Sequence, residues 1–292
     1  MAAPAFQWAS DLLSEIESKI DQPSSDPGQL TWPLSERVQA MNQEFLHLWE
    51  RLSTLDKNFG ITAGTISVVS GTRTAQLPAD CRFLRRVIEV DAAGDEIAGS
   101  FIEPAQWEAI GATERAAIFR PDQNDLYFMK TPTRSYSCKV IYGRHPTPIV
   151  HGIVRTSTGA TLQGATHESS MNDLYNGLVI YIPSGTGAGQ SQPASDYDGA
   201  TRTFTFASPF APVPDVTSVY TSRAELPRDA RDAFIYGVCS RLTEKLQDER
   251  FREFASMREQ HLAHFQDAVS RFDRQGPMLI RDGYNDIGFA DP

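Results

Sequence analysis

The stretch from Gly177 to Tyr220 constrains the fold of this chain more than any other segment. Its first strand, GLVIYI, ends at Pro183 and is followed by a glycine-rich connection, SGTGAGQ, at residues 184–190. A second turn, YDG at residues 197–199, leads into TRTFTF, where polar and apolar residues alternate with the period of a half-buried strand. The stretch therefore predicts a compact all-β module.

The same glycines have a second interpretation, a phosphate-binding loop. Such a loop needs a lysine before its final Ser or Thr and a helix after it, so that backbone N–H groups meet the phosphate. Gln190 occupies the place of the lysine, and the sequence from Pro193 to Tyr197 is typical of turn and strand. We therefore interpret the glycines as residues of tight turns and expect no cofactor.

The composition limits the classes of protein open to the chain. Its 292 residues, 40% of them hydrophobic, suffice to build a core in one large domain or two smaller ones. The net charge of −10 argues against direct wrapping of nucleic acid, which needs clustered Lys and Arg. The cysteines lie far apart, so neither a zinc knuckle nor a disulfide framework is predicted. We expect no export signal and no membrane contact, since no run of about 18 apolar residues occurs.

Four segments have the apolar spacing of amphipathic helices. Ser35 is the expected N-cap of the second helix, and Pro227 fits the first position of the third. The apolar positions are Trp8, Leu12, Leu13, Ile16 and Ile20; Val38, Met41, Phe45, Leu48, Trp49, Leu52 and Leu55; Ala230, Phe234, Val238, Leu242 and Leu246; and Phe251, Phe254, Ala255, Leu262, Phe265, Val269 and Phe272.

Between the two helix pairs, the apolar period changes from 3.6 to 2, starting at Gly64. A short helix near Pro104–Ile110 is expected to interrupt the strands of this region. The predicted strands are Thr65–Val69, Arg73–Leu77, Leu84–Val90, Leu126–Met129 and Ser137–Tyr142.

The order of these elements predicts an α+β fold. We expect an antiparallel bundle of two N-terminal and two C-terminal helices, a small mixed β region and an inserted all-β module. Residues 1–149 together with 223–273 are expected to form the main body. Residues 150–222 are the expected insertion, and residues 274–292 are an expected extended C-terminal arm.

Two parts of the sequence resemble proteins of tailed bacteriophages. Residues 177–220 are similar to a segment that recurs in phage structural proteins. The phrase QLPADCRFLRRV at residues 76–87, the strand ending in Tyr142 before Pro146 and Pro148, and the helix opening at Leu226-Pro227 resemble the head-to-tail adaptor, or connector, proteins of short-tailed phages. The resemblance implies a structural virion protein that forms a ring, usually of twelve copies, beneath the portal.

The resemblance also implies partners and a location. The expected partners are the portal protein, a downstream tail component such as a nozzle or tail tube, further copies of the chain, and DNA that passes through the channel without sequence-specific binding. The expected location is the neck of the virion between capsid and tail, reached by assembly in the host cytoplasm. In that family the strand leads almost directly into the late helices, so we interpret residues 150–222 as an insertion on the outside of the ring.

The apolar helix faces give a physical argument for a ring. The last two helices carry more apolar surface than a small β sheet covers, so part of it must meet the sheet or a neighbouring copy. Phe234 and Leu242 are the candidates on this face for a contact between copies. The alternative is a monomeric four-helix bundle beside a β domain. In a ring of twelve, a charge on the order of −120 would repel passing DNA, although acidity also serves plain solubility.

The C-terminal sequence RQGPMLIRDGYNDIGFADP is a candidate partner-binding segment. Gly276-Pro277 ends the last helix, and the glycines that follow interrupt any further helix. Apolar residues along an extended segment are typical of a strand or clamp that binds a partner. The predicted portal-binding residues are Met278, Leu279, Ile280, Tyr284, Ile287 and Phe289.

Arg82, Arg85 and Arg86 form a basic group near the start of a strand. They are candidates for ion pairs with acids of a neighbouring copy, and the alternative is that they extend from the strand edge into solvent.

No chemistry-bearing motif points to an enzyme. His261, His264 and Asp267 recur every three residues of the last helix, but a third strong ligand is missing and we predict no metal site. No catalytic Ser-His-Asp or Cys-His arrangement is found by local spacing, and a hydrolase would need a pocket with coupled acids.

A tail appendage that binds a receptor or a carbohydrate is the alternative function. It would have exposed aromatic side chains around one pocket, for which the candidates are Tyr175, Tyr181 and Tyr197.

Overall fold

The computed structural model describes residues 7–20, 32–56, 58–90, 96–98, 100–101, 118–122, 125–128 and 131–274 of the chain. Within this part the chain has four α-helices and several β-sheets. The α+β class predicted from the sequence is therefore confirmed. The predicted helix near residues 104–110 lies outside the described residues.

The four helices begin and end close to the predicted positions. They are α1 (Ala9–Lys19), α2 (Leu34–Leu55), α3 (Arg231–Lys245) and α4 (Arg250–Arg274), with a single 3-10 turn (Arg228–Ala230) between Pro227 and α3.

Several details of the helix prediction were wrong. Pro227 precedes the 3-10 turn and is not the first residue of α3, and Leu246 follows α3 and is 50% exposed. Helix α2 begins at Leu34, directly after Pro33, so Ser35 lies in its first turn instead of capping it. Trp8 precedes α1 and lies in a two-residue strand, β1 (Gln7–Trp8), that pairs antiparallel with β17 (Arg223–Ala224).

Helix α3 packs against α1, α2 and α4, and the four helices share one hydrophobic core. Most side chains of the predicted apolar stripes are buried. The apolar face of each helix is removed from water by packing against the other helices. Fully or almost fully buried members of this core are Leu12, Ile16, Met41, Phe45, Leu48, Leu52, Phe234, Val238, Leu242 and Leu262.

Two four-stranded sheets follow α2. The first has the order β2 (Ile61–Val68), β9 (Tyr136–Arg144), β4 (Cys81–Val90) and β5 (Glu96–Ala98), all antiparallel. The second has the order β3 (Thr74–Gln76), β8 (Asp125–Phe128), β7 (Ile118–Asp122) and β6 (Ser100–Phe101), where β6 and β7 are parallel. Val68, Val87, Leu126, Cys138 and Val140 form a core between the two sheets.

A seven-stranded antiparallel sheet occupies residues 151–221. Its core consists of residues between Val150 and Tyr220 alone. In spatial order its strands are β10 (His151–Ile153), β16 (Val219–Thr221), β13 (Val179–Ser184), β14 (Ser191–Asp198), β15 (Thr203–Phe206), β12 (Thr161–Gln163) and β11 (Thr156–Ser157).

The glycine-rich connection joins the neighbouring antiparallel strands β13 and β14. Gly185, Gly187 and Gly189 have φ angles of +83°, +82° and +89°, which L side chains rarely adopt. The interpretation of these glycines as turn residues is confirmed.

The first and last residues of the chain segment that forms the seven-stranded sheet are neighbours in space. Strands β10 and β16 pair, and the Ser222 amide donates to the Val150 carbonyl oxygen at 2.9 Å. In addition, the Val150 amide donates to Ser222 Oγ at 3.0 Å. The chain therefore enters this sheet, after β9, and leaves it, before α3, at one place.

Replacing residues 152–220 by a short Gly/Ser linker is expected to leave the helical part folded. The linker would connect two adjacent positions, and Ile149, which belongs to the helical core, would be kept. Far-UV circular dichroism of the shortened chain checks this. A soluble product that has lost its helical signal would show that the seven-stranded sheet is needed for the helices to fold.

Among the described residues, none belongs to a helix that combines the length and the apolar composition needed to span a membrane.

Candidate interaction surfaces

Strand β4 presents three arginines and one phenylalanine to solvent. Its pairing with β9 is irregular at two places, between Cys81 and Phe83 and between Leu84 and Arg86. Arg82 and Arg85 are the extra residues at these two bulges. Because a bulge turns a side chain away from its regular direction, residues 82, 83, 85 and 86 are all exposed although they are nearly consecutive. We call these four residues the β4 surface.

Helix α2 and the loop after it hold part of the β4 surface. Arg82 Nη2 lies 3.5 Å from Glu50 Oε1, and Arg85 Nη1 donates to Asn58 Oδ1 at 3.0 Å. The predicted basic group is therefore brought together, and two of its members already have partners within the chain. These contacts orient the guanidinium groups without enclosing them.

Phe83 is the member of this surface that sequence analysis missed. Its ring lies against Gly143 of β9, where a Cβ atom would be only 2.2 Å from the ring, and the side chain is still 45% exposed. An exposed aromatic side chain among arginines is the composition found at the energetic centres of protein interfaces. Its place between Arg82 and Arg85 was the available signal.

Arg144, at the end of β9, joins three parts of the chain behind this surface. Trp49 Nε1 of α2 donates to the Arg144 carbonyl oxygen at 3.2 Å, and the guanidinium lies 5.2 Å from the Trp49 ring centre. The same guanidinium forms an ion pair with Glu225, where the chain returns from the seven-stranded sheet. This contact fixes the β4–β9 sheet relative to α2.

Tyr142 of β9 contacts the residue that precedes β4. Its hydroxyl donates to Asp80 Oδ1 at 2.9 Å. Burial and this hydrogen bond raise the pKa of Tyr142 well above its ordinary value, so the hydroxyl stays a donor at physiological pH.

A buried carboxylate connects helices α2, α3 and α4. Glu44 of α2 is 1% exposed and accepts from Arg241 Nε of α3 and Arg258 Nε of α4, both at 2.6 Å. Gly237 leaves room for it, since a Cβ atom there would be 2.3 Å from Glu44 Oε1. Three helices thus meet on one side chain.

A second, exposed link joins α2 to α4. Arg51 donates through both Nη atoms to the Glu259 carboxylate at 3.0 and 2.8 Å. These hydrogen bonds lower the pKa of Glu259.

An open polar pocket of about 740 Å³ lies between three helices. It is lined by the first turns of α1 and α3 and by the later part of α4. It contains His261 and His264, whose ring centres are 6.3 Å apart, and His261 stacks on Tyr236 at 5.4 Å. Within the described residues, no group of three His, Cys, Asp or Glu side chains is placed to hold a metal ion.

Phe234 and Leu242 do not lie on a surface. Both are 0% exposed in the core formed by the chain's own helices. The prediction that they line a contact between copies needs correction, because α1 and α2 already cover the apolar face of α3.

The tyrosines expected to surround a receptor- or carbohydrate-binding pocket are also placed differently. Tyr175 and Tyr197 are 2% and 1% exposed in the core of the seven-stranded sheet. Tyr181 stacks on Trp8 at 4.5 Å. The expectation that these tyrosines form an exposed cluster is therefore wrong.

The predicted arm residues Met278, Leu279, Ile280, Tyr284, Ile287 and Phe289 lie outside the described residues.

A family model described as SU10 adaptor protein matches residues 9–181, which is more than half of the chain. The match contains α1, α2, the two four-stranded sheets with the β4 surface, and the first part of the seven-stranded sheet. It ends at Tyr181, before α3 and α4. A comparison with curated proteins gave no match.

Proposed function

Since this chain belongs to the SU10 adaptor protein family, we propose that it joins the portal of a bacteriophage capsid to the tail. Members of the family are structural phage proteins, and this chain is a structural adaptor of the virion neck. In the proposed role it binds the portal on one side and a tail component, such as a nozzle or tail tube, on the other. The observation that carries the proposal is the family match over residues 9–181.

We further propose that copies of the chain form a closed ring, with twelve as the expected number. A ring needs a heterologous contact, in which one face of a copy meets a different face of the next. The β4 surface supports this arrangement because it is basic and partly aromatic, whereas the chain as a whole carries a charge of −10. Arg82, Arg85 and Arg86 would then meet acidic side chains of the neighbouring copy.

The acidic charge has a role in this proposal. If the ring continues the DNA channel, a wall charge on the order of −120 over twelve copies repels the phosphates, so that DNA slides without sequence-specific binding. The seven-stranded sheet of residues 151–221 would lie on the outside of the ring.

The C-terminal arm of residues 274–292 is the proposed attachment to the portal or to a neighbouring copy. Burying several of its apolar side chains would contribute on the order of ten kcal/mol at about 25 cal/mol per Å². Ordering the arm largely offsets that contribution. A small surplus repeated around the ring would still be sufficient for firm attachment.

Mixing the purified chain with portal rings tests the proposal. The full-length chain is expected to form a ring on the portal, seen by negative-stain imaging and light scattering. A chain truncated after Arg274 is expected to keep its melting temperature and lose stable attachment. A full-length variant with the six apolar arm residues replaced by serine separates apolar contact from chain length.

Two outcomes of that experiment have different meanings. If the full-length chain stays a free monomer beside the portal, the adaptor role is overturned. If the truncated chain binds the portal as tightly as the full-length chain, the arm is not the attachment and the β4 surface becomes the next candidate.

A further inference from the structure

Two surfaces of the chain have complementary chemistry, the β4 surface and the open pocket between α1, α3 and α4. The proposed ring needs two different faces that meet between copies. The β4 surface supplies one of them, with Phe83 45% exposed among exposed arginines. We call the second face the helix pocket, whose lining includes Asp11, Arg228, Asp229, Arg231, Asp232 and Phe265.

The helix pocket has room for an aromatic side chain. It is open to solvent and has a volume of about 740 Å³. Part of its lining is apolar, since Phe265 is 7% exposed and Ala268 is half-buried. An exposed aromatic ring that leaves water in such a pocket is typical of the residues that dominate binding energy at interfaces. The pocket can therefore take the ring of Phe83.

The charges of the helix pocket favour guanidinium groups. Asp11, Asp229 and Asp232 line it, and the first two are exposed. Arg231 already forms ion pairs with Asp232 and with Glu15 of α1. With Glu15 included, four carboxylates face the two guanidinium groups of the pocket, which leaves an excess of two negative charges.

The β4 surface has the opposite excess. Arg82, Arg85 and Arg86 carry three positive charges, and Glu50 of α2 lies 3.5 Å from Arg82. With Glu50 included, two positive charges remain. Opposite charges of this kind steer two surfaces together and fix their register.

The two surfaces lie on different parts of the helical core. The β4 surface contacts α2 and the loop after it, through Glu50 and Asn58. The helix pocket lies at the start of α3, where Arg231 meets α1. Helix α3 reaches α2 where Arg241 meets Glu44, about 15 Å further along at about 1.5 Å per residue. One chain therefore cannot bring its own β4 surface to its own pocket, whereas two neighbouring copies can form this heterologous contact.

We propose that the β4 surface of one copy binds the helix pocket of the next copy. Phe83 enters the pocket beside Phe265, and Arg86 faces Asp229 at its rim. This inference rests on the ring proposed above and names the contact that closes it. The same contact repeated around the ring uses every β4 surface and every helix pocket.

Charge reversal in the full-length chain, mixed with portal rings, tests the contact. Arg86→Glu and Asp229→Arg each place like charges opposite one another. Half-maximal ring formation is therefore expected to need about tenfold more of either variant than of the wild type. With both changes in one chain, the ion pair is restored with its charges exchanged, and assembly is expected to recover. Light scattering and negative-stain imaging follow ring formation.

Exposed residues of the seven-stranded sheet provide matched controls. Arg155→Glu and Asp196→Arg reverse exposed charges outside both surfaces, and they are expected to assemble like the wild type. Phe83→Ser is expected to weaken assembly, whereas Val216→Ser, at a side chain that is 66% exposed, is not. Melting temperatures of the free chains show that each variant is folded.

The outcomes separate this contact from the adaptor role. If the wild type forms no ring on the portal, the proposed function itself fails. If the wild type forms a ring and both single charge variants assemble equally well, only this contact is wrong. If Arg86→Glu weakens assembly and Asp229→Arg does not, the β4 surface binds the portal instead of the next copy. A double variant that assembles no better than the single variants would also overturn the pairing.

Discussion

Replacing Glu44 with alanine is expected to destabilise the helical core by about 3–5 kcal/mol. The carboxylate is 1% exposed and accepts hydrogen bonds from two guanidinium groups, Arg241 and Arg258, at 2.6 Å each. Without it, Arg241 and Arg258 would lose this counter-charge and its hydrogen bonds near the core, although Arg258 would still contact Glu259 at 2.9 Å. Urea unfolding followed by the helical circular dichroism signal measures the effect.

Glu50→Ala is the matched control on the same helix. Glu50 is exposed, and its contact with Arg82 at 3.5 Å is a surface ion pair, which contributes about 0–1 kcal/mol. A Glu44→Ala variant that lost no more stability than this control would show that the buried network does not hold α2, α3 and α4 together.

The helices could be predicted from the sequence because each has a continuous apolar stripe. The stripes do not show which element of the fold covers the apolar face of each helix. The sequence shows that α3 has a large apolar face, but only the structure shows that α1 and α2 cover it. Glu44 was missed although it lies between Met41 and Leu48 on the buried stripe of α2, and a charged residue at such a position was the available signal.

The strands were predictable from their alternation, and the faces they present were not. In β4, a period of two would place Arg82 and Arg86 on one face and Phe83 and Arg85 on the other. The two bulges break that alternation and expose all four residues, because each bulge shifts the register by one. No feature of the phrase CRFLRRV marks where the pairing with β9 becomes irregular.

The tyrosines of the seven-stranded sheet show a related limit. Tyrosine has an apolar ring and a polar hydroxyl, so the residue type alone favours neither core nor surface. Tyr197 is buried because its hydroxyl donates to the Ser169 carbonyl oxygen at 2.6 Å, a contact between positions far apart in the sequence. The basic group of β4 was identified correctly, but its neighbours Glu50 and Asn58 come from another element and could not be inferred.

Replacing Phe234 with alanine is expected to lower the stability of the isolated chain by about 3–5 kcal/mol. Its side chain is 0% exposed and meets Phe45 of α2 edge to face, with ring centres 6.5 Å apart. Removing the ring would leave a cavity among α1, α2 and α3 that the packed helices cannot fill. Chemical unfolding of the monomer, without the portal, measures this loss.

Leu246→Ala is the control, because Leu246 follows the end of α3 and is 50% exposed. Its replacement is expected to change stability by no more than about 0.5 kcal/mol. The comparison also decides between two roles of Phe234. A residue at a contact between copies would lose assembly on the portal and leave the monomer as stable as the wild type. A core residue loses monomer stability first, and any weaker assembly of the variant then follows from the unfolded fraction.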